Sequence, residues 1–145
     1  MPGRETVERA REDAREGKSP STQAGEFVRE EIHHVREGKH GARSPQQAIA
    51  IGLSKARRAG VKLGLPKGSA STRKKAARDS KAGESRGKKT SAKRSRAVSD
   101  ALRRESRSGA SHQALSRQAK KSAVKRGKQD RRQAAVKAAR TRRAA

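Results

Sequence analysis

From Thr22 the apolar positions Ala24, Phe27, Val28, Ile32 and Val35 recur at steps of three and four residues, the period of one helical face. The pattern predicts a helix through about Glu37, with Gly38 well placed as the cap just past its end. Glu31 falls on the same face and is expected at the edge of the core, paired with a base. A polar, glycine-punctuated turn follows, GKHGARSPQQ at 38–47. Within it Ser44 is a favoured N-cap, Pro45 suits a first helical position, and Gln47 completes an S-x-x-Q capping box. Ala48, Ile49, Gly52, Leu53 and Ala56 then share a face, and Gly60 ends the element. The two helices, about 22–37 and 45–59, are expected to pack antiparallel, with Gly52 admitting the first helix closely. Val61, Leu63 and Leu65 can fold back over the open end before Pro66.

No other stretch has apolar periodicity of this strength. RETVERAREDARE at 4–16 reads as a short charged helix with a thin stripe of Val7, Ala10 and Ala14, and with Glu5–Arg9 and Glu12–Arg15 at helical neighbour spacing. Residues 66–94 are rich in Gly, Ser, Lys and Ala and read as a disordered basic linker. Residues 95–127 read as a weak second helical hairpin, in which GASHQAL at 109–115 echoes GARSPQQAI at 41–49. Residues 128–145 form a basic C-terminal tail, helical only when its charge is neutralised. The expected organisation is therefore all-α: a charged arm at 1–21, an antiparallel helical hairpin at 22–65, and a largely disordered or conditionally helical basic tail. A hairpin this small needs help, from a homodimer through 22–65 or from the N-terminal helix docking on it.

Composition strengthens the expectation of disorder. Hydrophobic residues are 29% and charged residues 37% of the 145-residue chain, with one Phe and no Trp or Tyr. Little apolar area is available to offset a backbone ordering cost of roughly 1–2 kcal/mol per residue. The charge is uneven. Residues 1–37 hold 7 Lys/Arg and 9 Asp/Glu, while residues 38–145 hold 33 and 5, out of a net +26. Such asymmetry points to a polyanionic partner, nucleic acid first. With no cysteine, disulfides, thiolate zinc sites and a thiol nucleophile are excluded. The polar start lacks a secretory pattern and no window has the apolar length of a membrane span, so a cytoplasmic, nucleoid location without membrane contact is expected.

Candidate chemistry narrows the class further. His33 and His34 are adjacent and would point about 100° apart on a helix, and with His40 and His112 they give no recognisable metal spacing, so no metal and no cofactor are expected. GESRGKKT at 83–90 has three residues between its glycines, and Lys89 rather than Ser or Thr follows Lys88, so it is not a phosphate-binding loop. Nothing promises a catalytic pocket, and no enzyme activity or catalytic residue is expected. Base stacking is unavailable, because Phe27 is the sole aromatic ring of its kind and belongs to the core. What remains is phosphate contact by Lys and Arg, which positions a protein without reading sequence. The candidates are Lys39, Arg43, Lys55, Arg57, Arg58 and Lys62 around the second helix. Arg73, Lys74, Lys75, Lys88 and Lys89 follow in the linker, then Arg117, Lys120, Lys121, Lys125, Arg126, Arg131 and Arg132 in the tail.

EFVREEIHHVREGKHGARSPQQAIAIGLSKARRAG, residues 26–60, resembles the signature of a family of small, very basic bacterial proteins with a domain of unknown function. ASHQALSRQAKKSA at 110–123 resembles a tail block of the same family. Some members carry a provisional DNA-binding label, which implies the same for this chain but brings no functional residues with it. The tail is also similar in composition to bacterial histone-like and linker-histone tails. The expected function is non-sequence-specific binding of double-stranded DNA through phosphates, as a nucleoid-associated protein does. RNA or ribosome association, and a protein adaptor using residues 22–65, are the alternatives.

Overall fold

Ser19 and Ser44 each start a helix by the same device. In a computed structural model of the chain, which describes residues 1–85 and 91–144, the Ser19 hydroxyl accepts from the Thr22 amide at 3.4 Å, and the Ser44 hydroxyl from the Gln47 amide at 3.2 Å. Gln47 Oε1 reaches back to the amide of Arg43 at 2.7 Å, one residue earlier than a standard capping box. The helices so begun are α2 (Pro20–Arg36) and α3 (Pro45–Arg58). Before them lies α1 (Arg4–Arg15). After them come α4 (Ala70–Glu84), α5 (Ala92–Arg103), a 3₁₀ turn (Arg107–Ala110) and α6 (His112–Ala144). The described residues contain no strand, and no helix among them is long and apolar enough to cross a membrane. The all-α expectation is met.

The chain divides into two compact units, residues 1–111 and 112–145. In the first, the apolar face of α2 is shared between two clusters. Ala24 and Phe27 pack with Ala56 and Leu53 of α3, with Val61 beyond it, and with Ala10 and Val7 of α1. Ile32 and Val35 pack with Ala48 of α3, Ala42 of the turn and Ala110 of the 3₁₀ turn. Phe27 is fully buried, worth about 1.5–3 kcal/mol relative to exposure. Gly52 is where α2 and α3 come closest, since a Cβ there would stand 2.7 Å from Val28 Cα.

Of the aids expected for the 22–65 segment, the N-terminal helix is present: α1 packs on α2, α4 packs on α3, and the 3₁₀ turn packs on both α2 and α3. Two expectations are corrected. The supposed linker contains α4, which docks on α3 through small groups. Ala76 is buried, a Cβ on Gly83 would lie 2.3 Å from the Arg57 carbonyl, and Asp79 accepts from Ser54 Oγ at 2.7 Å and Arg58 Nε at 2.8 Å. The tail beyond 111 is helical rather than disordered, and α6 is broken only at Gly127, where φ is 81°. The segment read as a second hairpin is thereby divided, with α5 and the 3₁₀ turn in the first unit and α6 in the second. Helix-compatible residues account for the tail: Ala, Gln, Lys and Arg fill most of α6, and all have high intrinsic helix propensity.

Candidate nucleic-acid interface

Around α3 the candidate cations are largely engaged with the protein itself. Lys55 binds a carboxylate oxygen of Glu31, the fully buried acid on α2, so it points inward and not toward a ligand. Glu31, expected at the core's edge, lies inside it. Arg57 is 8% exposed, and its Nη2 donates to the Gly64 carbonyl at 3.1 Å. Neither Lys55 nor Arg57 can serve a phosphate as placed. Arg58 is half-exposed and ion-paired to Asp79 at 2.8 Å. Lys39 is exposed and lies 2.9 Å from Glu37, whose carboxyl it holds below the usual range by that hydrogen bond, with His33 adding to the effect. Arg43, in the turn, and Lys62, past the end of α3, are exposed with no ion pair among the described residues.

Farther along the chain the situation reverses. On α4, whose Ala76 and Asp79 are buried, Arg73, Lys74 and Lys75 are exposed, as are Arg78 and Lys81. Lys88 and Lys89 lie outside the described residues. Every residue from Ser91 to Asp100 is exposed, which adds Lys93, Arg94 and Arg96 of α5. In α6, Arg117, Lys120, Lys121, Lys125, Arg126, Arg131 and Arg132 are all exposed. So are Lys128, Lys137, Arg140, Arg142 and Arg143, which are absent from the sequence-derived candidates although the same Lys/Arg spacing signals them.

Helical geometry sorts these groups. At about 100° per residue, Arg117, Lys120, Lys121 and Lys125 fall within an arc of about 140° before Gly127. After it, Lys128, Arg131, Arg132, Arg142 and Arg143 fall within about 120°. Arg131 Nε also donates to the Gly127 carbonyl at 3.2 Å. Across the whole of 112–145 there are 12 Lys/Arg and a single carboxylate side chain, Asp130. No family profile, curated protein or solved structure matches this chain. The roles of these residues therefore rest on their own chemistry.

Proposed function

We propose that this protein binds double-stranded DNA through its phosphates, with α6 as the principal contact and the outward cations of α4 and α5 as secondary ones. The observation that carries the reading is the contrast in pairing. Of the six candidate cations near α3, Lys55, Arg58, Lys39 and Arg57 are answered by Glu31, Asp79, Glu37 and a carbonyl, and Arg43 and Lys62 are not, among the described residues. Those of α6 have no carboxylate partner among the described residues. Unanswered charge at this density is stabilised by a polyphosphate, through release of condensed counterions. A single helix also matches the width of the DNA major groove, where phosphates flank it on both sides. With Phe27 buried and no other Phe, Trp or Tyr, stacking on bases has no side chain to use. The proposed role is thus architectural, of the nucleoid-associated or histone-like kind.

Competition titrations test this. Unrelated DNA duplexes of equal length should compete almost equally, and a preference above about a hundredfold, roughly 2.7 kcal/mol, would mean that bases are read. Duplex or single-stranded RNA that competes tenfold better than DNA would move the assignment to RNA. Affinity that does not fall with salt would remove nucleic acid altogether and favour a protein partner.

A further inference from the structure

The interior of the first unit contains a charged cluster that the proposed DNA contact does not use. Glu31 is fully buried. One of its carboxylate oxygens is taken by Lys55 of α3. The other, Oε1, lies 3.0 Å from His40 Nε2, in the turn between α2 and α3. The opposite ring nitrogen of His40, Nδ1, lies 3.0 Å from the Gly41 carbonyl. Both oxygens can only accept, and a neutral imidazole has one N–H to give. If the proton is on Nδ1 and donated to Gly41, two lone pairs face each other at Glu31 Oε1 and His40 Nε2, and Oε1 has no donor. A buried carboxylate does not tolerate that arrangement without a cation between the two atoms.

His34 supplies a third donor. Its ring meets His40 edge-on with centroids 6.2 Å apart, and one ligand atom from each of Glu31, His34 and His40 falls within 4.8 Å of the others. We infer that Glu31, His34 and His40 form a binding site for one transition-metal ion of the zinc type. Two imidazoles and one carboxylate oxygen suit zinc and its borderline neighbours, and do not suit calcium or magnesium, which prefer oxygen ligands. With its proton on Nδ1, facing the Gly41 carbonyl at 3.0 Å, His40 would leave Nε2 free for a metal, as outer-shell carbonyls do for ligating histidines. Metal–ligand bonds of about 2.0–2.2 Å place tetrahedral donors about 3.3 Å apart. The 3.0 Å pair nearly meets this already. The His34 ligand atom, within 4.8 Å of the other two, would have to move closer; its Nε2 is 3.8 Å from Glu30 Oε1 and has no hydrogen bond there to lose.

The ion would brace the junction on which the first unit depends. The turn it joins to α2 also receives the chain from residue 102 onward, through Gly41 N to Leu102 O and Ala42 N to Ser106 O, both at 2.8 Å.

The test uses the full-length, tag-free chain stripped with a chelator. One equivalent of zinc should bind in competition with a chromophoric chelator and raise the thermal midpoint, as a ligand of the native state must. One equivalent of cobalt(II) should give the visible bands of a four-coordinate site. His34→Asn and His40→Asn should each weaken zinc binding by at least about tenfold, with helicity checked by circular dichroism. His33→Asn and His112→Asn should leave it unchanged. The cobalt spectrum of the unaltered chain decides the matter if a variant unfolds. Zinc uptake no greater than that of the His34→Asn/His40→Asn double variant would overturn the site. So would nitrogen NMR showing both His40 ring nitrogens protonated at neutral pH with zinc in excess, since a proton would then fill the gap.

Discussion

Lysine and arginine behave differently in the two units of this chain. Residues 1–111 hold 28 of them against 13 Asp/Glu, and residues 112–145 hold 12 against one. In the first unit several of them act as fasteners: Lys18 bridges Asp13 and Glu16 at 2.7 and 2.6 Å, Arg9 reaches Glu26 of α2, Arg58 ties α3 to α4, and Arg36 Nε donates to the Ala110 carbonyl at 2.8 Å. In the second unit the same side chains surround a helix with little to fasten. Net charge therefore overstates how much of the first unit is open to a ligand and describes the second unit well.

Removing the second unit should produce the largest effect. For about eight neutralised phosphates, a fourfold rise in salt costs on the order of 10⁴ in affinity. Residues 1–111 alone should keep their helices and lose most of that slope on duplex DNA. Within the full chain, replacing Arg117, Lys120 and Lys121 by Ala should reduce the slope by about 0.9 for each phosphate that is no longer neutralised. Arg57→Ala should instead leave the slope unaltered and lower the thermal midpoint, because its guanidinium is committed to Gly64. A truncated protein with the full slope would reverse the contrast between the units.

The part of the fold written in large apolar side chains was legible. The predicted 22–37 and 45–59 helices appear as Pro20–Arg36 and Pro45–Arg58, with Phe27, Val35 and Ala56 buried. The part written in small ones was not. α4 docks with Ala76, Gly83 and an ion-paired Asp79, a face that a count of hydrophobic residues passes over. The 3₁₀ turn inserts Gly109 and Ala110 for the same reason: a Cβ on Gly109 would stand 2.4 Å from the Ala42 carbonyl. Among candidate contacts, Lys55 and Arg57 mislead because their long side chains reach back to Glu31 and to the Gly64 carbonyl. The grouping of Glu31, His34 and His40 depends on the path of the turn, which adjacent residues in a sequence do not reveal.

A pair of glycines on facing helices gives an intermediate effect and sharpens the view that the first unit is held by close approach. Gly52→Ala must push a methyl against the Val28 backbone at 2.7 Å, and overpacking of this kind costs about 1–3 kcal/mol. Gly25 of α2 is exposed with nothing within 4 Å of a would-be Cβ. Gly25→Ala should therefore stabilise by up to about 1 kcal/mol through lost chain entropy. Urea denaturation of both variants measures the contrast. Equal effects would mean that α2 and α3 do not meet at Gly52 as described.

The smallest effect concerns Lys39, which stands between the two classes of cation. It is exposed, as a phosphate contact must be, yet it binds Glu37. That hydrogen bond, aided by His33, depresses the Glu37 pKa below its usual value of 4.5. A carboxylate depressed in the native state binds fewer protons there than in the unfolded chain, so its contribution is complete above about pH 4.5 and disappears as pH falls through the native value. Lys39→Ala should therefore lower stability slightly at neutral pH, by less than either glycine change, and the difference should vanish in acid. The pair is exposed, so added salt should shrink it as well. If Lys39 instead belongs with α6, the substitution will leave the acid profile of the free protein untouched and lower the salt slope on DNA by about 0.9.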